Sequence, residues 1–592
     1  MDRIDSKIKF VGLHAHSVAG SIFDAIGYPQ AHMDFAYENG GDALALTDHG
    51  NMNGLAYQVL HAKKMKEQGK DFKPIFGCEA YFIPSIDEWH EEYARAMEDK
   101  KRARSAKKDK ASGATVEDEG DSKKTQDVLR RRRHLVLLVQ NQTGLNNLFK
   151  LVSESYQSEN FYRYPRIDYK LLKKYNEGII AASACLGGVY AGNYWENREQ
   201  GDESVLEAMR ESTRQMVDIF GDRWYAEIQW NNIKEQHELN QYVIQVAQEM
   251  DVELITTADS HYPNPDAWKD RELYKRLGWL GKGRPSWADE ESQLPEGVEE
   301  IGYELYPKNG DQMWESYKQY SKEQGFEYDD ELVMRSIEQT HKIAFDRIES
   351  FLPDNTVRLP EFVVPAGFTA AQALVNYALE GLKDKGLHKN KEYIDRLRRE
   401  LNVIDDRGFS KYFLTMKSIV DVATGMMLTG PGRGSAAGSL VAYALNITQV
   451  DPIKYDLLFS RFLRSDAEDY PDIDYDVSDS MALKEKLVEM WGEDCVAPIS
   501  NWNTLQLKSL IKDISKLYNI PFTEVNTVTS IMIREATPEA KRKHGIKAGV
   551  YAPTWEEVME FSLSLQKYLN RYPEVKTHVE GLVGQVRSCS RH

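Results

Sequence analysis

Residues 8–17 read "IKFVGLHAHS", an apolar β-like run that ends in two histidines one residue apart. Strand side chains alternate faces, so His14 and His16 share one face and aim both imidazoles at one point. Around this run, the first 85 residues keep a βα rhythm. "DALALTDHG" and "PIFGCEAYFI" read as strands, "YPQAHMDFAYENG" and "LAYQVLHAKKMKEQG" as helices. The rhythm resumes in "HLVLLVQN", "GIIAASACLGG", "WYAEIQW" and "LITTADSHY", and predicts an α/β domain with a parallel sheet or barrel. Sites in such folds form at strand ends. His14, His16, Asp24, His49, Glu79, His134, Cys185, Asp259 and His261 all fall there. Mixed N, O and S donors suit Zn2+ or Mn2+.

A chain of 592 residues exceeds one core and predicts three or four domains. It is 41% hydrophobic and 28% charged, with no apolar run long enough to span a membrane. "MDRIDSKIKF" lacks a signal-peptide core, which predicts a cytoplasmic protein. Cys78, Cys185, Cys495 and Cys589 are few and scattered, against a disulfide framework. The net charge of −18 does not itself suggest a nucleic-acid binder, although local basic surface and bound cations count for more. Residues 87–133 are charge-dense, with "KKRARSAKKDKASGATVEDEGDSKK" and "RRRR". They read as a surface insertion, or as a contact to DNA phosphates.

After about residue 285 the texture turns to amphipathic helices such as "YIDRLRRELNVIDDRG". "GPGRGSAAGS", Gly430–Ser439, then precedes the helical run "LVAYALNI". Small residues let backbone N–H groups approach an anion, and a helix N-terminus adds a positive dipole. Arg433 offers a charged clamp and Ser435 a hydroxyl; without a Lys-Ser/Thr pair it is not a Walker A loop. "LLFSRFL" brings Arg461, and "YPDIDYDV", Tyr470–Val477, predicts a strand with Asp472, Asp474 and Asp476 on one face. A phosphate cradle, arginines and spaced carboxylates together describe two-metal nucleotidyl transfer. From about 502 the chain is mostly helical again.

The histidine-rich pattern resembles the PHP domain (polymerase and histidinol phosphatase), a distorted (β/α)7-type barrel with a trinuclear metal centre. By that resemblance all nine positions carry acceptable ligands for up to three Zn2+ or Mn2+ ions. The resemblance implies a phosphoesterase, in this setting a 3′→5′ proofreading exonuclease. "YFLTMKSIVDVA", "LTGPGRGSAAGSLVAYALNITQVDPIKYDLLFSRFL" and "YPDIDYDV" resemble the palm of C-family replicative DNA polymerases, the bacterial DNA polymerase III alpha family. The implied layout is multidomain, α/β plus α+β. A PHP domain spans 1–285, a Pol-beta-like palm 286–501, a helical thumb 502–585, and 586–592 begin the return to the palm.

Asp472 and Asp474 are then catalytic Mg2+ ligands. Gly434 and Ser435 hold the triphosphate with Arg433 and Arg461, Lys508 and Lys512 meet DNA phosphates, and Asp476 is a supporting or solvated carboxylate. The family's palm uses a third aspartate on a later strand, whereas "YPEVKTHVEGLVGQVRSCSRH" ends at His592. The expectation is therefore a split, viral-type polymerase, or an interrupted reading frame, with the third aspartate and fingers on a separate C-terminal chain. Its partners would be primer-template DNA, dNTPs, that chain and, through it, a sliding clamp. No membrane is involved, and the place is the cytoplasm of a bacterial cell or infected bacterial host. Two other readings compete: a PHP phosphoesterase for small phosphate esters with a scaffold half, and a non-catalytic assembly subunit.

Overall fold

The computed structural model describes residues 3–109, 132–280 and 304–591, apart from 355, 357, 360, 361, 468 and 548. Most of the charged insertion, 110–131, lies outside the described residues; its first part continues the helix Ile86–Asp109. The chain divides into two compact units: Met1–Pro353 with Trp502–Ser590, and Asp354–Asn501 with Arg591–His592.

The first unit is built on an eight-stranded sheet. Its strands are β1 (Ala43–Leu46), β2 (Lys73–Phe82), β3 (Arg133–Val139), β4 (Phe161–Tyr162), β5 (Tyr164–Ile167), β6 (Ile179–Ala182), β7 (Trp224–Gln229) and β8 (Leu254–Thr257). The order is β4-β5-β2-β3-β6-β7-β8, with β1 beside the first half of β2. Residues 12–16 stitch the two sides together. Ala45 N donates to Gly12 O at 2.8 Å and Thr47 N to Ala15 O at 2.7 Å, while His16 N donates to Ser260 O at 2.7 Å. The sheet thus curls from β1 round to the chain just after β8. "ALAL" and "IIAA" are buried on both faces, which is why they read as continuous apolar runs without alternation.

β3 departs from the parallel pattern. It runs antiparallel to both β2 and β6, with Tyr81 opposite His134 and Val136 opposite Ala182. Its first residues therefore lie level with the C-terminal ends of its neighbours.

The sequence boundary at 285/286 differs from the structural division. Helices Gly310–Gln324 and Asp330–Lys342 bury Met313, Tyr317, Val333 and Ile337 in the barrel's own core. Lys73 Nζ donates to Ala344 O at 2.6 Å and Ile348 O at 2.5 Å. The helical segment from Leu507 to Leu582 joins the same unit, with Leu510, Ile514, Val558 and Val579 in one apolar cluster with Tyr262 and Tyr274. β9 (Ser500–Thr504) pairs with β10 (Val586–Arg591).

The second unit centres on Leu374, Leu397, Phe413, Leu440 and Ile447, drawn from helices Ala370–Asp384, Lys391–Asp406, Ser410–Met426 and their neighbours. Tyr470–Val477 is not a full ladder strand. It is extended backbone tied by one bridge, Thr429 to Val477, flanked by Gly430 N to Asp476 O at 2.9 Å and Ser478 N to Leu428 O at 3.0 Å. The period of two survives nonetheless. Asp472, Asp474 and Asp476 are exposed, while Ile473, Tyr475 and Val477 pack against the unit's apolar clusters. Among the described residues no helix is long and apolar enough to cross a membrane, and the four cysteines are unbridged.

Candidate metal centre and aspartate strand

All nine sequence-selected residues of the first unit converge. Glu79, in mid β2, is the hub. Its Oε1 lies 3.2 Å from His14 Nε2 and 3.0 Å from His134 Nδ1, and its Oε2 lies 2.5 Å from His49 Nδ1 and 3.6 Å from His16 Nε2. Asp259 Oδ1 stands 3.2 Å from His14 Nε2 and 3.1 Å from His16 Nε2. Asp24 Oδ2 meets His49 Nε2 at 2.8 Å and His261 Nε2 at 3.4 Å. Cys185 Sγ closes the ring, 3.7 Å from His134 Nδ1 and 3.9 Å from Glu79 Oε1. Three overlapping groups have ligand atoms within 4.8 Å of one another: His16, His49 and His261; His14, His16 and Asp259; His49, Glu79 and His134.

The fold explains the convergence. His49, Cys185, Asp259 and His261 follow the C-terminal ends of β1, β6 and β8, and His14 and His16 sit on the stitching segment. His134 stands at the start of its strand, yet reaches the same end because β3 is reversed.

Groups outside the nine fix the rings. Glu227, fully buried in β7, takes a hydrogen bond from His14 Nδ1 at 2.8 Å. Ser21 Oγ donates to Asp48 Oδ1 at 2.9 Å and lies 3.1 Å from His16 Nδ1. Both arrangements engage Nδ1 and leave Nε2 facing the cluster. Arg271 holds Asp24 through Nη2 to Oδ1 at 2.9 Å and Nε to the Asp24 carbonyl at 2.6 Å. The sequence reading passed over Glu227, Asp48 and Arg271. The signal for Glu227 was a lone carboxylate inside the apolar strand "WYAEIQW".

Five buried atoms, His14 Nε2, His16 Nε2, His49 Nδ1, Glu79 Oε2 and Asp259 Oδ1, have no aligned hydrogen bond although they face one another. Buried polar atoms are normally paired, and a set of inward-facing N and O donors fits divalent cations. Charge distribution agrees. Burial disfavours charge on His14, but Asp259, Glu227 and Glu79 outweigh it and hold the imidazole well above the ordinary range. Burial and the neighbouring His49 and His261 push His16 well below it. Burial also works against ionised Glu79, yet His134, His49 and His14 hold its carboxyl well below the usual range. Burial with Asp259 and Glu79 keeps the Cys185 thiol protonated. The surrounding histidines thus favour the ionised form of the Glu79 carboxyl, the form in which it binds a metal.

In the second unit the glycine loop meets the aspartates. Gly434 has φ 65°, and a Cβ there would stand 2.2 Å from Asp474 Oδ2. Arg433 Nη1 donates to Asp476 Oδ1 at 3.2 Å. Ser435 opens a 3-10 turn to Gly438 rather than an α-helix. The expected helix is only Leu440–Ala444, and its Val441 N–H is taken by buried Glu400 Oε2 at 3.1 Å. Contrary to the expected helix dipole behind the glycines, the loop offers backbone and side chains, not a free helix end. Arg461 ends the exposed turn Phe459–Arg461. Lys508 and Lys512 lie on helix Leu507–Leu517 of the first unit; Lys508 is exposed, and Lys512 donates to Asn526 Oδ1 at 2.7 Å.

The PHP domain model matches residues 12–231, and the bacterial DNA polymerase III alpha NTPase domain model matches residues 372–592. The DNA polymerase III subunit alpha of Aquifex aeolicus is 32% identical over 597 residues, covering 98% of this chain and 44% of that protein. That of Borreliella burgdorferi is 31% identical over 588 residues, covering 97% and 45%. That of Thermus aquaticus is 29% identical over 573 residues, covering 89% and 43%. This chain thus spans less than half the length of these relatives. One part of the chain thus matches a PHP domain and another a bacterial DNA polymerase III alpha NTPase domain, and at about 30% identity along nearly its whole length it is similar to bacterial DNA polymerase III alpha subunits.

Proposed function

We propose that this chain is part of a replicative DNA-directed DNA polymerase whose barrel is a metal-dependent 3′→5′ exonuclease. The observation that carries the barrel reading is the set of five buried, inward-facing ligand atoms without aligned partners. Zn2+ or Mn2+ held there by His14, His16, Asp24, His49, Glu79, His134, Cys185, Asp259 and His261 would supply hydroxide near neutral pH and charge to stabilise a phosphoryl transition state. The chain's own residues do the positioning. Glu227 and Ser21 orient His14 and His16, Arg271 fixes Asp24, and Glu79 reaches His14, His49 and His134 at once.

In the second unit, Asp472 and Asp474 are proposed as the Mg2+-binding carboxylates of nucleotidyl transfer. Both are exposed on one side of the extended segment, and the Gly434 backbone comes close to Asp474. Gly434, Ser435, Arg433 and Arg461 are proposed to take the triphosphate. Polymerase activity is assigned to this chain together with the remaining sequence that its relatives carry.

The test is nuclease assay of the chain, stripped by chelator and reloaded with Mn2+ or Zn2+, on end-labelled DNA. Stepwise shortening from the 3′ end is expected and should vanish in His14→Ala. Equal activity in that variant, or none in the reloaded wild type, would overturn the barrel reading. For the second unit, Asp472→Asn should abolish primer extension by the assembled polymerase; normal extension would overturn it.

A further inference from the structure

The barrel rim next to His49 carries groups that the proposed metal chemistry does not use. β4 and β5 form a tight hairpin, Phe161 opposite Pro165 and Tyr162 opposite Tyr164, with Arg163 at its tip at φ 62°. A non-glycine residue in the left-handed region is strained, and such strain gathers where a side chain is presented for use. The hairpin lies directly against the cluster. A Cβ on Gly50, the residue after His49, would stand 2.8 Å from Pro165 and 3.1 Å from Tyr81.

Rings lead outward from the histidines. His49 stacks on Tyr81 at 6.0 Å between centroids, His134 meets the Tyr81 ring edgewise at 5.5 Å, and Tyr81 contacts Tyr164 at 4.9 Å. Arg132 lays its guanidinium 3.8 Å over Tyr164, and its Nε is buried without a hydrogen-bond partner. Tyr81 is buried, whereas Tyr164 keeps 36% of its surface in solvent and Phe161 keeps 42%. Arg163 is exposed as well. Exposed rings interleaved with arginines suit an unpaired nucleic-acid strand: every base has a π-face to stack, and guanidinium groups meet the phosphates. A small phosphate ester has no base to offer, and a duplex keeps its bases covered.

We propose that the β4–β5 hairpin is a single-strand subsite of the exonuclease. Tyr164 stacks a base near the 3′ end of an unpaired DNA strand, Arg132 and Arg163 hold its phosphates, and Tyr81 backs Tyr164 against His49. The inference rests on the exonuclease reading and assigns the hairpin as the place where its unpaired strand is held.

The test compares two substrates in the full chain loaded with Mn2+: a single-stranded oligothymidylate and the small diester bis(p-nitrophenyl) phosphate. Tyr164→Ala should lower the ratio of oligonucleotide to diester kcat/KM by about 10-fold or more, the scale of one lost base stack, and Tyr164→Trp should restore it. An unchanged ratio would overturn the proposal. If the wild type cleaves neither substrate, the exonuclease reading fails separately. The subsite is then judged by titrating a 2-aminopurine-labelled single strand into the chain in excess chelator. Quenching that weakens in Tyr164→Ala and Arg163→Ala supports the subsite, and equal binding by all three proteins overturns it.

Discussion

Replacing Glu227 by Gln tests whether the cluster is built to hold cations. Glu227 Oε1 accepts from His14 Nδ1 at 2.8 Å, Thr257 Oγ1 at 2.5 Å and Gln229 Nε2 at 3.0 Å, while Oε2 is buried without a partner. Glutamine keeps the shape and one acceptor oxygen, so His14 stays in place. The negative charge that makes His14 Nε2 a better donor to a cation is lost. Carboxylate support of a ligating histidine is worth about 10- to 100-fold in metal affinity, or about 1.4–2.7 kcal/mol. The new amide group would sit where Oε2 now has no partner, and a buried donor without an acceptor costs about 1–3 kcal/mol of stability. Calorimetric titration of Mn2+ into chelator-stripped chain reads the first effect, and denaturant unfolding without metal reads the second. A variant that loses stability but binds Mn2+ as tightly as the wild type would refute the assigned role of Glu227.

Four further outcomes are expected. Asp474→Asn should reduce primer extension by the assembled polymerase by orders of magnitude while changing stability by less than about 0.5 kcal/mol, since the side chain is exposed; a large stability loss would mark it as structural. Gly434→Ala should be equally damaging to extension and cost about 1 kcal/mol, because φ is 65° and the new Cβ must displace Asp474. His32, fully buried and hydrogen-bonded to the Ile26 carbonyl, is pushed down to about 4 by burial. Its folded pKa lies below the unfolded value near 6.5, so its contribution is complete above about pH 6.5 and is lost as pH falls through about 4. The loss is about 3 kcal/mol at most, and His32→Gln should flatten that part of the stability–pH curve. Lys73→Met leaves the carbonyls of Ala344 and Ile348 without their donor and should destabilise the first unit by about 1–3 kcal/mol in denaturant unfolding.

The sequence disclosed the barrel's site better than its geometry. H-x-H at 14 and 16, "TDHG" and "ADSHY" are local signals: each places a ligand-type side chain just after an apolar run, and burial of both strand faces keeps those runs unbroken. The reversal of β3 was not legible, because strand direction depends on pairing between distant segments rather than on local pattern. Glu227 and Arg271 were hidden for the same reason: their roles exist only once β7 and the helix Trp268–Leu280 are brought to the cluster. In the second unit the alternation of "PDIDYD" correctly separated exposed from packed side chains. It said nothing about partners, and the segment makes only one bridge. "LVAYALNI" carried helical propensity for a longer element than forms, because Asn446 turns left-handed at φ 61° and Ile447 N donates back to Ala442 O, which ends the helix at Ala444.

The most direct measurement is the number of ions retained by the chain after metal stripping, reloading with Zn2+ or Mn2+ and gel filtration, counted by mass spectrometry for the wild type and for Glu79→Gln. Glu79 touches His14, His49 and His134 within 3.2 Å, so its charge is the one most groups share. Bound metal is expected in the wild type, with a clear reduction in a folded Glu79→Gln chain. A folded wild type that emerges free of metal would contradict the metal-centre reading.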